Sequence, residues 1–325
     1  MRLFYSTCPA GLEEACRRLA ASGVPGFSPK AVLPGALLYS ARADLPECPG
    51  FSNTYLQIAR VDKCGSVTHA AKLFLQDRRA LSDAERAMRD YGFETFRAMF
   101  SDANRLAGVE KEYREAFERA IRVKNNRMTP DTELTVLRRS DGCGLLLLRL
   151  THPSHGKKGE LSPAVAACMC QLARPEAGGR FLDPFAGSGA LGLARAKLGK
   201  AERICLSDVD MDAVSRMQKR LGTPVEVRRA DAMDLIPVYG ENAFTEIVTD
   251  PPWGLYRPLN DEPSRFCQEM LESLEAVLAP YGRLVVLTAL KAELTAAAKK
   301  TDLELLERHD ILVNGKKAAI FVLRK

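Results

Sequence analysis

The second half of the chain alternates short apolar segments with amphipathic ones, and this alternation limits the folds that are open to it. It is typical of a mostly parallel α/β sheet with helices on its faces. Asn314-Gly315 then separates two final strand-like segments, a pair that favours a type I′ turn and an antiparallel hairpin. The predicted strands are 180–183, 203–207, 225–229, 246–249, 283–288, 309–313 and 317–323, and the predicted helices are 162–172, one after residue 187, 211–221, 262–278 and 291–300.

The first half is less regular and predicts a separate α+β region. The polar segment 152–160 contains Gly and Pro and is interpreted as a linker. The sequence therefore predicts an N-terminal region over 1–155 and a C-terminal domain over 156–325. The strands predicted in the first region are 3–6, 96–100, 133–137 and 145–150, and the helices are 11–21 and 109–123.

Charge and cysteine content exclude several classes of protein. The 325 residues carry a net charge of +6, which is too mild for a histone-like chain. Residues 1–155 hold 23 basic and 18 acidic side chains, whereas the rest hold 24 and 23, so the positive excess lies in the first half. The nine cysteines include no C-x-x-C pair, which predicts reduced thiols, a cytoplasmic location and no metal site. No apolar run approaches the length of a membrane span.

The segment Asp183-Pro-Phe-Ala-Gly-Ser-Gly189-Ala-Leu-Gly192 lies between a predicted strand and a predicted helix. Its glycines let a backbone approach a nucleotide-like ligand closely, and Asp208 at the end of the next strand can hold a ribose diol. The same pattern fits a dinucleotide. Asp183 disfavours a pyrophosphate, however, and suits the cationic amino-acid end of a methyl donor. Asp231, after the third strand, can accept a hydrogen bond from an adenine amino group.

Thr249-Asp-Pro-Pro-Trp-Gly254 follows the fourth predicted strand of this half and is its most specific signal. Two prolines cannot continue a central strand, so they indicate a rigid turn at the ligand-binding edge of the sheet. Asp250 and the Pro251 carbonyl can accept the two N–H bonds of an exocyclic amine and direct its lone pair toward a methyl group. Trp253 can stack on the flat base. The hypothesis for the catalytic residues is Asp250, Pro251, Pro252 and Trp253.

These motifs, together with Gly159-Glu-Leu-Ser-Pro163, resemble the THUMP-domain-containing RNA guanine-N2 methyltransferases. The resemblance implies a class I, Rossmann-like methyltransferase fold ending in an antiparallel hairpin, S-adenosylmethionine as cofactor, and structured RNA (tRNA or rRNA) as substrate. Cys8-Pro-Ala-Gly-Leu-Glu-Glu14 and 130–136 are similar to parts of a THUMP-like RNA-binding region. The expected donor-binding residues are Asp183, Phe185, Gly187, Ser188, Gly189, Asp208, Asp231 and Ala232.

Three clusters of basic residues are candidates for RNA contact, although a solvated surface is an equally good interpretation of each. A fourth candidate, Arg257, follows the catalytic motif and can equally form a salt bridge within its loop. The clusters are Arg122, Lys124 and Arg127, then Arg138 and Arg139, then Lys157 and Lys158.

Three alternatives stay open at this level. Asp-Pro-Pro-Trp also occurs in adenine-N6 methyltransferases, which act on RNA or DNA, whereas the family's usual motif ends in Tyr or Phe. A catalytically silent RNA-binding protein would keep the donor pocket without transferring a methyl group. A nucleotide-dependent oxidoreductase fits the glycines but not the loop of Trp253. A small activating protein is a further candidate partner, and the sequence does not indicate an oligomeric state.

Overall fold

The computed structural model describes residues 1–103, 105–109, 111–151, 161–222, 225–254 and 262–325. These residues form two compact units. The first holds residues 1–7, 23–47 and 51–151, and the second holds residues 8–22, 48–50 and 161–325. The segments 8–22 and 48–50 thus cluster with the second unit, although the sequence analysis assigned them to the first region. The predicted linker, 152–160, lies outside the described residues.

A nine-stranded sheet organises the first unit, with the order β2-β3-β1-β4-β9-β8-β5-β6 and with β7 paired to β5. Pairing is antiparallel except where β5 meets β7 and β8. The strands are β1 (Arg2–Thr7), β2 (Ser28–Leu33), β3 (Ala36–Ala41), β4 (Asn53–Val61), β5 (Thr95–Asp102), β6 (Arg105–Leu106), β7 (Lys124–Asn125), β8 (Thr132–Arg138) and β9 (Gly144–Arg149).

Three helices accompany this sheet: α2 (Val67–Gln76), α3 (Arg78–Asp90) and α4 (Lys111–Ala120). Asp77 ends α2 and begins α3, because its side chain accepts hydrogen bonds from the amides of Arg79 and Ala80. The predicted strands of this region are present, but the predicted helix 109–123 is shorter, and the sequence analysis missed β2, β3, β4, β6, β7, α2 and α3. β2 and β4 lack the continuous apolar run of β9, so their sequences gave a weak strand signal.

The second unit contains a seven-stranded sheet with the order β12-β11-β10-β13-β14-β16-β15. The first five strands are parallel, and β14, β16 and β15 pair antiparallel. The strands are β10 (Arg180–Asp183), β11 (Arg203–Asp208), β12 (Val225–Arg229), β13 (Phe244–Thr249), β14 (Leu278–Thr288), β15 (Glu304–Val313) and β16 (Lys316–Arg324).

Helices accompany these strands, the first two before β10 along the chain and the others between the strands. They are α1 (Glu13–Gly23), α5 (Pro163–Leu172), α6 (Ala190–Ala196), α7 (Met211–Arg220), α8 (Ile236–Tyr239), α9 (Pro263–Val277) and α10 (Lys291–Ala298). The apolar faces of α9 and α10 contact Ile247, Leu284 and Phe321 of the sheet in one buried cluster. Burial of these side chains is the main stabilising contribution on that face.

The predicted α/β organisation of the second half is confirmed, including its antiparallel end. Asn314 and Gly315 have φ values of 49° and 78°, as a type I′ turn requires, and they join β15 to β16. Ser162 caps α5 by accepting from the Val165 amide, and Asp210 caps α7 by accepting from the Asp212 amide. The strand order is that of a class I methyltransferase: numbered along this half of the chain, it runs 3-2-1-4-5-7-6.

Candidate active site

Three strands end in carboxylates at one edge of the second sheet. Asp183 ends β10 and Asp208 ends β11, while Asp250 directly follows β13. β10 lies between β11 and β13, so the strand order reverses there. Loops leave such a reversal in opposite directions and open a crevice at the carboxyl edge, which is where ligands bind in open α/β sheets. The sheet therefore brings the three acids to one crevice, as the sequence analysis predicted.

The glycine loop after β10 is tied to the end of β11. Gly187 and Gly189 have φ values of 50° and 79°, in the left-handed region that glycine tolerates. The Gly187 amide donates to Oδ2 of Asp208 over 2.9 Å, and the Ala186 amide donates to the Ser207 carbonyl over 3.0 Å. Among the described residues, a Cβ atom on Gly187 would meet nothing closer than 4.0 Å, so that part of the chain leaves the space beside this glycine open.

Asp208 keeps free acceptor capacity. Its Oδ1 accepts from the Asp210 amide over 3.0 Å, so each carboxylate oxygen uses one of its two lone pairs on backbone. The remaining lone pairs can accept the two hydroxyls of a ribose. The backbone contacts also fix the direction in which the carboxylate points.

Asp183 is almost completely buried, at 1% exposure. Burial raises its pKa to about 8, while hydrogen bonds from the Thr249 hydroxyl (2.9 Å) and the Phe185 amide (3.2 Å) act in the opposite direction. The carboxylates of Asp250 and Asp208 raise it further. A cationic group bound beside Asp183 would favour its charged form. This residue thus suits a ligand that brings its own positive charge.

The other predicted donor-binding residues surround the same crevice. Phe185 lies against Phe266 with ring centroids 6.2 Å apart. Asp231 is exposed, and its Oδ1 accepts from the Met233 amide over 3.0 Å, so it shapes its own turn while its side chain stays open to solvent. Ala232 is buried, and Ser188 is half-buried in the glycine loop. The open glycine, the diol acceptor and the buried acid fit S-adenosylmethionine.

The Asp-Pro-Pro-Trp turn is held by the neighbouring strand. The indole Nε1 of Trp253 donates to the Leu287 carbonyl of β14 over 3.3 Å. The same N–H favours the charged form of the Asp250 carboxylate, but burial dominates and raises the pKa of Asp250 to about 7. Pro251 is buried, and Pro252 is exposed. The turn therefore presents a partly buried acid next to an anchored aromatic ring.

Sequence reasoning missed two features near this site. The first is the hydrogen bond that the Thr249 hydroxyl of β13 donates to Asp183. The sequence indicated it only through a hydroxyl residue directly before Asp-Pro-Pro. Arg195 of α6 and Glu246 of β13 form a buried ion pair, with N–O distances of 2.5 and 3.0 Å. The sequence indicated this pair only through Glu246, a charged residue within an otherwise uncharged strand that would need a buried partner. Arg195 also donates to the carbonyls of Glu176 and Gly199, so four of its five N–H groups have acceptors.

The predicted RNA contacts have mixed outcomes. Arg122 and Lys124 are exposed, whereas Arg127 pairs with Glu118 over 3.0 Å. The Arg138–Arg139 prediction is wrong as a surface cluster, because Arg139 is only 5% exposed and donates to the Tyr5 hydroxyl. Arg138 pairs with Asp102. Lys157, Lys158 and Arg257 lie outside the described residues.

All nine cysteines are free and buried. Cys8, Cys48 and Cys168 surround Cys16, and hydrogen bonding within this cluster raises the pKa of the Cys16 thiol far above its usual value. In the described part of the chain, no group of three or more His, Cys, Asp or Glu side chains can hold a metal ion. No helix in that part is long and apolar enough to cross a membrane.

Comparison with known proteins supports the same interpretation. A tRNA (guanine(10)-N2)-dimethyltransferase of Methanothermobacter thermautotrophicus is 34% identical over 131 residues, 39% of this chain and 38% of that protein. A tRNA (guanine(6)-N2)-methyltransferase of Thermus thermophilus is 29% identical over 236 residues, 67% of each chain. The match thus spans well under half the length of the first relative.

The solved structure of TrmN from Thermus thermophilus shares the fold over the whole length of both chains. It superposes with a TM-score of 0.76 at 23% identity. Residues 154–318, half of the chain, match the family described as RMKL-like, methyltransferase domain. These residues carry the glycine loop, the acid that ends β11 and the Asp-Pro-Pro-Trp turn, and the chain therefore belongs to the RMKL-like methyltransferase domain family.

Proposed function

We propose that this protein uses S-adenosylmethionine to methylate the N2 amine of a guanine in tRNA. The observation that carries the proposal is the placement of the Asp250–Trp253 turn at the same sheet edge as Asp183 and Asp208. The family and the two relatives that act on guanine N2 of tRNA support it. Adenine N6 is the second candidate, since Trp253 occupies the aromatic position of the motif.

Asp183, Asp208, Asp231 and the glycine loop would hold the donor. The bound donor supplies a methyl group on a sulfonium centre that is open to in-line displacement. Ionised Asp183 would hold the cationic amino-acid end, and Asp208 the ribose. The protein's contribution at this end of the site is to fix the position of the donor, because the transfer itself needs no protein nucleophile.

The Asp250 turn would orient the acceptor. A guanine amine is a poor nucleophile because its lone pair is delocalised into the ring. Hydrogen bonds from its two N–H groups to the Asp250 carboxylate and the Pro251 carbonyl localise that pair toward the methyl group. Trp253 stacks on the base, and its anchor on Leu287 fixes the plane of the ring. With a pKa of about 7, Asp250 can also take the proton that the amine releases.

The test is radiolabelled methyl transfer from S-adenosylmethionine to tRNA, ribosomal RNA and DNA from the source organism lacking this gene, followed by nucleoside analysis. We expect label in N2-methylguanosine from tRNA. Label in N6-methyladenosine would contradict the guanine assignment and support the second candidate. Donor binding without label in any pool, in the presence of cell extract that could supply an activating protein, would contradict the catalytic function.

A further inference from the structure

A basic groove runs beside α10 on the second unit. It is a shallow depression open to solvent, with a volume of about 760 Å³, and it is lined by four basic side chains, Lys291, Lys299, Lys300 and Arg308, with Ala292 and Ala296 between them. Lys291, Ala292 and Ala296 recur at helical spacing and so share one face of α10, and Lys299 and Lys300 follow directly after its last residue, Ala298. Arg308 is contributed by β15, which is the edge strand of the sheet.

The groove carries an excess of positive charge. Asp310 accepts from Lys291 over 2.6 Å and from Arg308 over 3.0 Å, so one acid neutralises part of this pair. Lys299 and Lys300 are both exposed at the other end. Four basic groups against one acid leave a net charge of +3. An anionic ligand would therefore gain most at Lys299 and Lys300, where no ion pair has to be broken among the described side chains.

The shape of the groove suits an extended ligand better than a small one. Its wall on α10 has only Ala and Thr side chains between the lysines, which leaves room for a bulky backbone. At 1.5 Å per residue, α10 places Lys291 and Ala298 about 10 Å apart along its axis, and Lys299 and Lys300 follow directly after its end. That length covers several phosphates of one nucleic-acid strand.

One end of the groove follows closely along the chain from the strand that anchors Trp253. β14 ends at Thr288, at the carboxyl edge of the sheet, and its Leu287 carbonyl holds the indole of Trp253. Lys291 begins α10 three residues later. A strand whose base stacks on Trp253 can therefore continue along α10 without leaving the second unit.

We propose that the groove between α10 and β15 binds the phosphate backbone of the substrate RNA next to the target nucleotide. This inference rests on the proposed function, because it takes RNA as the anion. It adds a contact surface on the catalytic unit itself, separate from the predicted contacts at Arg122 and Lys124. Phosphate contacts of this kind fix the position of the strand without reading its sequence.

The test compares K299E/K300E and the milder K299Q/K300Q with the matched control K197E/K200E. Lys197 and Lys200 are also exposed on the second unit. They follow α6, which connects β10 to β11, whereas the groove lies beside β15 at the edge of the sheet. The measurements are tRNA binding by fluorescence anisotropy at several salt concentrations, donor binding by calorimetry, and the kinetics of methyl transfer.

We expect both groove variants to bind tRNA at least tenfold more weakly than the control. Loss of two phosphate contacts should reduce the slope of log K against log salt by about 1.5. KM for tRNA should rise, whereas donor affinity and kcat at saturating tRNA should stay within twofold. Unchanged donor affinity also shows that the variants fold.

Three results would overturn the inference. The first is a salt slope and a KM equal to those of the control while the wild type methylates RNA, which would leave the proposed function intact. The second is a change in oligomeric state without weaker tRNA binding, which would assign the surface to a second copy of the chain. The third is unchanged tRNA binding by the groove variants, together with an acidic protein that the wild type captures in pull-downs and the variants do not. That result would assign the groove to a protein partner. If the wild type methylates no RNA, the proposed function itself fails.

Discussion

At the scale of single residues, the site is a set of acids whose surroundings differ. Burial raises the pKa of Asp183 to about 8 and that of Asp250 to about 7. Asp208 instead accepts hydrogen bonds from the backbone on both carboxylate oxygens. These differences suit the three tasks that the proposed function assigns to the acids, which are binding a cation, an amine and a diol. Residue-scale predictions follow from each environment.

Replacement of Asp250 by Ala or Asn should abolish methyl transfer while leaving donor binding unchanged. Neither side chain offers a carboxylate to the amine or to its proton, so kcat should fall at least about a hundredfold. Single-turnover transfer and calorimetric donor titration measure the two effects separately. Turnover of D250N at the wild-type rate would show that the Asp250 carboxylate has no role in methyl transfer.

The rate of transfer should depend on the ionisation of Asp250. Below its pKa of about 7, kcat should fall tenfold per pH unit, because the protonated acid cannot accept from the amine, and above it kcat should level off. Trp253→Phe removes the N–H that favours the carboxylate, so the inflection should move to higher pH. An inflection that stays in place in this variant would show that the indole does not act on Asp250.

Thr249→Val should weaken donor binding at neutral pH. The Thr249 hydroxyl favours ionised Asp183, so its loss raises the pKa of Asp183 further and leaves more of the acid neutral. One hydrogen bond of about 1 kcal/mol corresponds to a Kd roughly fivefold higher. The effect should shrink by pH 9, and Thr249→Ser should restore binding. A defect that is equal at all pH values would indicate a packing change instead.

At the scale of elements, a buried ion pair fastens α6 to β13. The guanidinium of Arg195 and the carboxylate of Glu246 are almost completely buried, and Gly179 leaves the space that the carboxylate fills. A Cβ atom at residue 179 would lie 2.0 Å from that carboxylate. The pair joins the helix after the glycine loop to the strand that carries Asp250, so it supports both halves of the site.

Arg195→Met should lower the free energy of unfolding by about 3–5 kcal/mol, because Glu246 would remain as an unpaired buried charge. The double variant R195M/E246L should be less destabilised than the single one, since it leaves no charge behind. Urea unfolding of both proteins measures the difference. An equal loss in the two variants would mean that packing, and not charge, makes the contribution.

At the scale of the whole molecule, positive charge is spread over both units. The excess in residues 1–155 includes exposed Arg122 and Lys124, whereas the α10 groove belongs to the second unit. Phosphate contacts contribute to affinity in proportion to their number. The affinity of the wild-type protein for tRNA should therefore fall more steeply with salt concentration than the affinity of a variant that lacks either cluster.

Charge reversal in R122E/K124E should weaken tRNA binding and flatten its salt dependence, with donor affinity unchanged. Arg127 is left in place because it already pairs with Glu118. The control K72E/R78E carries the same change of charge at exposed positions of α2 and α3. Equal slopes of log K against log salt in the two variants would show that Arg122 and Lys124 do not contact the tRNA.

The sequence alone determined the strands of the second sheet and the three acids at its carboxyl edge. Short local patterns carried that information: apolar runs between turn residues, the glycine loop, Asp-Pro-Pro-Trp, and Asn-Gly at the hairpin. It determined much less of the first unit, where β2 and β4 alternate weakly and are strands because of their neighbours. Burial and long-range pairing also decided that Arg139 is internal, that Arg195 meets Glu246 and that Thr249 reaches Asp183. These contacts join residues 51 to 134 positions apart, and no local pattern encodes such a distance; only the folded chain brings them together.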